Sequence, residues 1–438
     1  MENESHDRTV WGAREFLKQP LLDCAAAIES STGDTALATI FHDVMRNTLE
    51  TTLTREADGT TFVITGDIPA MWLRDSSAQM LPFLRFLDSA DGDELYEVLA
   101  GLSRRQFQYL AQDSYANAFN REANGASYDP DDGCNDPWIW ERKYELDSLA
   151  FPIWLAHAVW RRTSRTDVLD GAVHAVLRTI VHQLGLEQDH EANSSYRFER
   201  NTDLPSETLQ REGRGPASGV TGMTWAGFRP SDDACVHSFN IPGNLFAAAA
   251  LRQLAEIAAE VYSDAELAAE AAALAVEISA GVAAHGVVTH PVHGDMYAYE
   301  VDGLGGTLLM DDANMPSLLS LPLTGGIDPG DPLYLATRAF VLSAENPFYY
   351  SGAHAAGVGS PHTPPGYVWP IALAVQGLTT ADAAEKLRLL HCLRDTTGGT
   401  STMHEGFDPD DPAQFTRPWF SWANSMFAEL LLDYCGIG

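Results

Sequence analysis

Five times along this chain a polar, mostly charged segment runs straight into an apolar helix. Arg74-Asp75-Ser76 precedes an apolar run over 80–87, and Glu145-Leu146-Asp147-Ser148 precedes one over 149–160. Asp232-Asp233 precedes 241–254, Asp311-Asp312-Ala313-Asn314 precedes 315–321, and Arg417-Pro418-Trp419-Phe420 precedes 426–432. A helix that is apolar on most sides must be buried. Charged loops resist burial unless their groups find partners. Both demands are met if the apolar helices form the inner ring of a concentric helical barrel. The loops then converge at one end and line a cavity.

The rest of the chain fits that plan. Helical spacing of apolar positions predicts further helices over about 14–30, 35–53, 93–111, 167–184, 264–284, 331–344 and 380–394. Pro20 is expected to break or kink the first, and Pro82 to delay a regular helix until near Ser77. Strand signals are few: a β-branched run over 60–65 and a hairpin within 287–301. Residues 114–137 read as one long, turn-rich loop, of the kind that tends to be functional. No linker or composition shift divides the helices. The expected fold is therefore all-α, a single domain over 1–438.

Charge limits the partners. A net charge of −34 repels nucleic acid and anionic membranes, whereas a neutral ligand tolerates it. The cysteines Cys24, Cys134, Cys235, Cys392 and Cys435 are scattered and odd in number, against a disulfide framework or structural zinc. The N-terminus is polar and acidic, and no uninterrupted apolar run reaches membrane-spanning length. A cytoplasmic protein with no cofactor is the expectation.

The loops hold the chemistry. Thr221 to Cys235 brings together Trp225 and Phe228 as ring faces, Arg229 as a forked donor, and the adjacent acids Asp232 and Asp233. Neighbouring carboxyls disfavour joint ionisation, which helps keep one of them protonated. Met403-His404-Glu405-Gly406-Phe407 supplies a second acid after a glycine- and threonine-rich loop. His404-Glu405 lacks the spacing of a zinc helix motif. Arg74 with Asp75, and Glu145 with Asp147, read either as internal ion pairs or as clamps on vicinal hydroxyls. Trp138, Trp140, Tyr144, Trp369, Trp419 and Trp422 read first as core, with a binding role open to those in the polar loops.

Three stretches resemble the hallmark motifs of glycoside hydrolase family 125: Gly66 to Ser76 (GDIPAMWLRDS), Gly222 to Asp233 (GMTWAGFRPSDD) and Met403 to Phe407 (MHEGF). The resemblance implies an (α/α)6 barrel and a metal-independent, exo-acting α-1,6-mannosidase that inverts the anomeric centre. It implies a general acid at Asp232, with Asp233 as the alternative, and a general base at Glu405. In an inverting enzyme the two carboxyls stand roughly 6.5–9.5 Å apart. It further implies that Arg74, Asp75 and Asp147 hold the terminal mannose. Arg229, Asp233, Asp312, Asn314 and His404 are read as additional substrate contacts. The expected partner is a mannose-containing oligosaccharide or N-glycan fragment. Two other readings stand beside it: a helical-barrel hydrolase of α-glucosides, such as a trehalase or glucoamylase relative, and a non-catalytic carbohydrate-binding barrel.

Overall fold

Aspartate side chains set where most of the outer helices begin. Asp34 accepts from Ala36 N and Leu37 N to start α2 (Thr35–Asn47), which packs on α1 (Lys18–Thr32). Asp170, Asp264, Asp331 and Asp382 do the same for α6 (Gly171–Leu186), α8 (Ala265–His285), α10 (Pro332–Val341) and α12 (Ala383–Asp395). Each such cap satisfies backbone donors that a helix cannot pair internally. The structure, a computed structural model, describes residues 15–130 and 134–438. The predicted start of the first helix at Arg14 and the Asp131-Asp132-Gly133 turn lie outside the described residues.

The inner helices are α3 (Leu73–Ala78), α5 (Asp147–Thr163), α7 (Ile241–Glu260), the short α9 (Leu321–Thr324), α11 (Pro370–Leu378) and α13 (Ser421–Tyr434). α3 packs on α5, α5 on α7 and α7 on α9, while α11 packs on α13 and α13 returns to α3. α4 (Gly92–Gln112) and the other outer helices cover this ring, with α4 on α5, α8 on α7 and α12 on α11 and α13. The predicted all-α fold is therefore observed, with strands confined to small antiparallel sheets. The main apolar core runs from Phe16 through to Leu432, with a small second cluster of Ala70, Trp72 and Ala118. α8 is long and apolar enough, by composition alone, to cross a membrane. Here its Leu267, Ala271, Leu274 and Ile278 are buried in the packed structure.

Unlike most outer helices, α3, α5, α11 and α13 start without a side-chain cap. The residues before α3, α11 and α13 are Trp72, Trp369 and Phe420, all on the cavity wall. Gly66 joins the two ends of the chain there. Its φ is 140°, it bridges to Phe420, and a Cβ would sit 2.2 Å from the Trp419 carbonyl oxygen. Only glycine allows that approach.

Local differences from the expected elements have simple causes. Pro20 lies in the first turn of α1, where its missing N–H is harmless, so it does not break the helix. The regular helix begins at Leu73, not near Ser77, and Pro82 opens a separate 3-10 turn over Leu81–Phe86. The second helix runs on beyond Asn47 as a π-helical turn over Thr48–Thr52, close to its expected end, and Leu53–Arg55 leaves it as a strand paired with Thr61–Val63. Residues 315–320 are not helical. Pro316 lacks an N–H, and the Asp311 carboxylate takes the amides of Leu318 (2.8 Å) and Leu319 (3.0 Å). The 114–137 loop contributes a strand, Ala118–Phe119, between Met71–Trp72 and Ile139–Glu141.

Candidate active site

Asp232 sits at the tip of a tight turn. Phe228 bridges to Ala234, Arg229 N donates to Asp233 O (2.8 Å), and Asp232 N donates to Arg229 O (2.9 Å). The turn forces Asp232 to a φ of 65°, a left-handed conformation that aspartate tolerates better than most residues. The result is a carboxylate held at the wall of an open cavity lined by charged and aromatic side chains.

Arg74 ties this carboxylate to a buried acid cluster. Its Nη2 donates to Asp232 Oδ1 (3.0 Å), and its Nη1 to Glu145 Oε2 (2.8 Å) and Asp147 Oδ2 (3.1 Å). Its Nε stands 3.3 Å from Asp75 Oδ2. Burial lifts Asp75 above its usual range against the pull of Arg74, and lifts Asp147 to about 6. Burial lifts Glu145 much further. Burial also opposes charge on Asp232, yet Arg74, a hydrogen bond from Glu145, and Lys143 hold that carboxyl below its ordinary range.

Glu405 lines the same cavity. Its Oε1 lies 3.6 Å from Arg417 Nη1, and Arg417 is itself held by Asp67 through Nε (2.9 Å) and Nη2 (2.6 Å). Trp72, Trp369, Phe420 and Trp422 supply aromatic wall. Arg74 Nε, Asp75 Oδ2 and Trp72 Nε1 are buried without a hydrogen-bond partner. Arg74 Nε and Asp75 Oδ2 still face each other as an ion pair, so Trp72 Nε1 is the costly unpartnered atom of the three.

The predicted contacts divide. Arg74, Asp75, Asp232, Asn314 and Glu405 line the cavity. Asp147 stands behind Arg74, and Asp312 behind Asn314, whose Nδ2 donates to Asp312 Oδ1 (3.1 Å). Asp233 accepts from Ser231 Oγ (3.3 Å) and pairs with His362 Nδ1 (3.4 Å), both residues of the wall. Arg229 is not a free clamp. It forks onto buried Glu300 (Nε 2.5 Å, Nη2 3.2 Å), which also accepts Val236 N and His237 N. His404 faces away from the cavity, stacked on Phe415 at 3.6 Å and bonded to Thr397 O. Trp225 and Phe228 are core, the former stacked on His190 at 3.6 Å, because the turn that exposes Asp232 pins them beneath it.

Several wall residues escaped the sequence reading. His362 opens on the cavity with its side chain 33% exposed. Burial works to neutralise it, and Asp233 overrides that, raising it to about 9. Lys143 and Arg200 bridge Glu141 and Glu207 in a second buried network. The charged pair Glu141 and Lys143 beside buried Tyr144 was the available signal. Among the described residues, Glu207, Asp233 and His362 place ligand atoms within 4.8 Å of one another, as would suit a metal. Lys143 and Arg200 already neutralise Glu207.

Residues 34–432 match the model of the metal-independent alpha-mannosidases, GH125. The chain belongs to glycoside hydrolase family 125. This family 125 enzyme is 44% identical to a Streptococcus pneumoniae metal-independent α-mannosidase solved in a non-productive complex with α-1,6-mannobiose. That match covers 96% of this chain and 99% of the other, with a TM-score of 0.92. It is 39% identical to the meiotically up-regulated gene 157 protein of Schizosaccharomyces pombe, over 97% of this chain and 87% of that protein. A bacterial glucoamylase complexed with acarbose shares the fold alone, at 13% identity and a TM-score of 0.60 over 91% of this chain and 56% of the other. The family 125 enzyme is therefore an α-mannosidase on a helical-barrel glycosidase scaffold.

Proposed function

We propose that this α-mannosidase removes terminal α-1,6-linked mannose, one residue at a time, with inversion at the anomeric carbon. Asp232 is the general acid and Glu405 the general base. The observation that carries the reading is that both carboxyls line one cavity, between aromatic walls and beside two fixed guanidinium groups. The α-1,6 linkage is supported by the mannobiose held by the S. pneumoniae relative.

In this mechanism Asp232 protonates the glycosidic oxygen as the C1–O bond breaks. Glu405 takes a proton from a water that attacks C1 from the opposite face. Arg74 and Asp75 hold the terminal sugar, with Asp147 fixing Arg74 from behind. The natural substrate class is a mannose-containing oligosaccharide or N-glycan fragment. The five free cysteines suit a reducing, cytoplasmic setting.

The test is a pair of variants and a linkage panel. Asp232→Ala and Glu405→Ala each lower kcat/KM on α-1,6-mannobiose by about 10²–10⁴-fold without loss of Tm. The parent leaves α-glucosides intact. Full activity in either variant contradicts the assignment of that residue.

A further inference from the structure

The acids around Arg74 outnumber it. One guanidinium contacts Asp75, Glu145, Asp147 and Asp232, at 3.3, 2.8, 3.1 and 3.0 Å. The Glu145 and Asp147 side chains are 0% and 1% exposed, and Asp232 alone reaches 20%. Asn117 Nδ2 reaches both Glu145 Oε1 and Asp232 Oδ1, each at 3.4 Å. Arg74 and Asn117 thus bridge the two carboxyls, each contacting both of them. Four buried carboxyls around one cation cannot all ionise cheaply, and two held side by side favour a single proton between them.

We infer that Glu145 is the proton-holding partner of Asp232: it stores the catalytic proton in the resting enzyme and passes it to Asp232 when substrate fills the cavity. The inference rests on Asp232 being the general acid. It removes a difficulty in that reading, because a carboxyl held ionised by Arg74 cannot itself donate. Displacing water from the cavity removes solvation from Asp232, the only member of the pair with access to it. Glu145 stays fixed by Arg74 Nη1 and by Ser148 Oγ (3.0 Å).

The step balances without a co-reactant. The O–H bond of Glu145 breaks and one forms on Asp232. Asp232 then protonates the glycosidic oxygen as that oxygen takes the C1–O electron pair. Water adds to C1 and its proton goes to Glu405. After product leaves, Glu405 releases a proton to solvent and Glu145 regains one through Asp232. The charged and titratable groups facing Glu145 are Arg74, Asp147, Asp232, Tyr196 and Cys235, with Glu141 sharing Asn117 and Lys143 acting on Asp232. Glu145 is therefore a positioning residue for the proton.

Glu145→Gln tests this, because its amide still donates to Asp232 but carries no transferable proton. Two substrates are compared: α-1,6-mannobiose, and a 2,4-dinitrophenyl α-mannoside whose leaving group needs no protonation. The expected result is a fall in kcat on mannobiose of about 10²-fold or more, and an alkaline limb of kcat/KM moved down by at least about one pH unit. The kcat on the dinitrophenyl substrate stays within about threefold, and Glu145→Asp recovers part of the mannobiose rate. Equal losses on both substrates, or an unchanged pH profile, overturn the inference. Asp232→Asn separates it from the reading beneath it. If that variant lacks the same leaving-group split, the assignment of Asp232 as acid fails. If it shows the split and Glu145→Gln does not, only the role of Glu145 fails. Should Glu145→Gln not fold, Glu145→Asp decides: a pH profile identical to the parent's overturns the inference, and a shifted one supports it.

Discussion

Arg417 Nη1 lies 3.6 Å from Glu405 Oε1, and Asp67 anchors the same guanidinium from the far end of the sequence. The barrel is closed at this point, since Gly66 bridges to Phe420. The proposed base is thus tied through Arg417 to Asp67 in the first motif of the chain.

Arg417→Ala removes that support. Misplacing a reacting group by a fraction of a bond length costs rate steeply. The expected outcome is a kcat about 10–100-fold lower with KM changed less, measured on α-1,6-mannobiose. Asp67→Asn gives a smaller loss of the same kind.

Arg229 and Glu300 predict the opposite pattern. Their side chains are 6% and 0% exposed and paired by two hydrogen bonds. Removing one partner of a buried pair costs about 3–5 kcal/mol. Arg229→Ala therefore shows as a lowered denaturation midpoint, while KM of the fraction that stays folded is near the parent value. A large KM effect with unchanged stability contradicts the structural role.

His362 gives a pH signature. Its folded pKa is raised to about 9, above the ordinary value of about 6.5. A raised pKa contributes stability that is complete below about pH 6.5 and lost as pH rises through about 9. Tm of the parent falls across that window, and His362→Ala flattens the fall. Thermal melts at pH 6, 7.5 and 9 measure it.

The net charge of −34 predicts a salt response. Exposed like charges repel, and salt screens them, with a Debye length of about 10 Å at 0.1 M and about 3 Å at 1 M. Tm rises from low salt to 1 M potassium chloride. The Arg74 cluster is buried and screened far less, so kcat changes little over the same range.

How much was legible follows from where each signal came from. The inner helices were readable because Leu245 to Leu254 and Met426 to Leu432 are broadly apolar, broken only by Arg252, Gln253 and Glu429. Asp232, Glu405 and Arg74 stood out as charges in polar loops within the three motifs, and the structure brings all three to one cavity. Arg229 was misread because a forked donor suits a sugar and a carboxylate equally, and Glu300 lies 71 positions away. His362 was missed because Pro361-His362-Thr363-Pro364 reads only as a turn, and its partner Asp233 comes from another loop. The apolar run from Met315 to Leu321 looked helical, but Pro316 and the Asp311 carboxylate took its backbone elsewhere. For Arg229 and His362 the missing information was a long-range partner.

The most direct measurement is an NMR time course of α-1,6-mannobiose hydrolysis, with and without EDTA. β-Mannose as the first product, formed at the same rate in both samples, is the predicted result. α-Mannose as the first product, or no turnover of this disaccharide, contradicts the inverting Asp232–Glu405 mechanism.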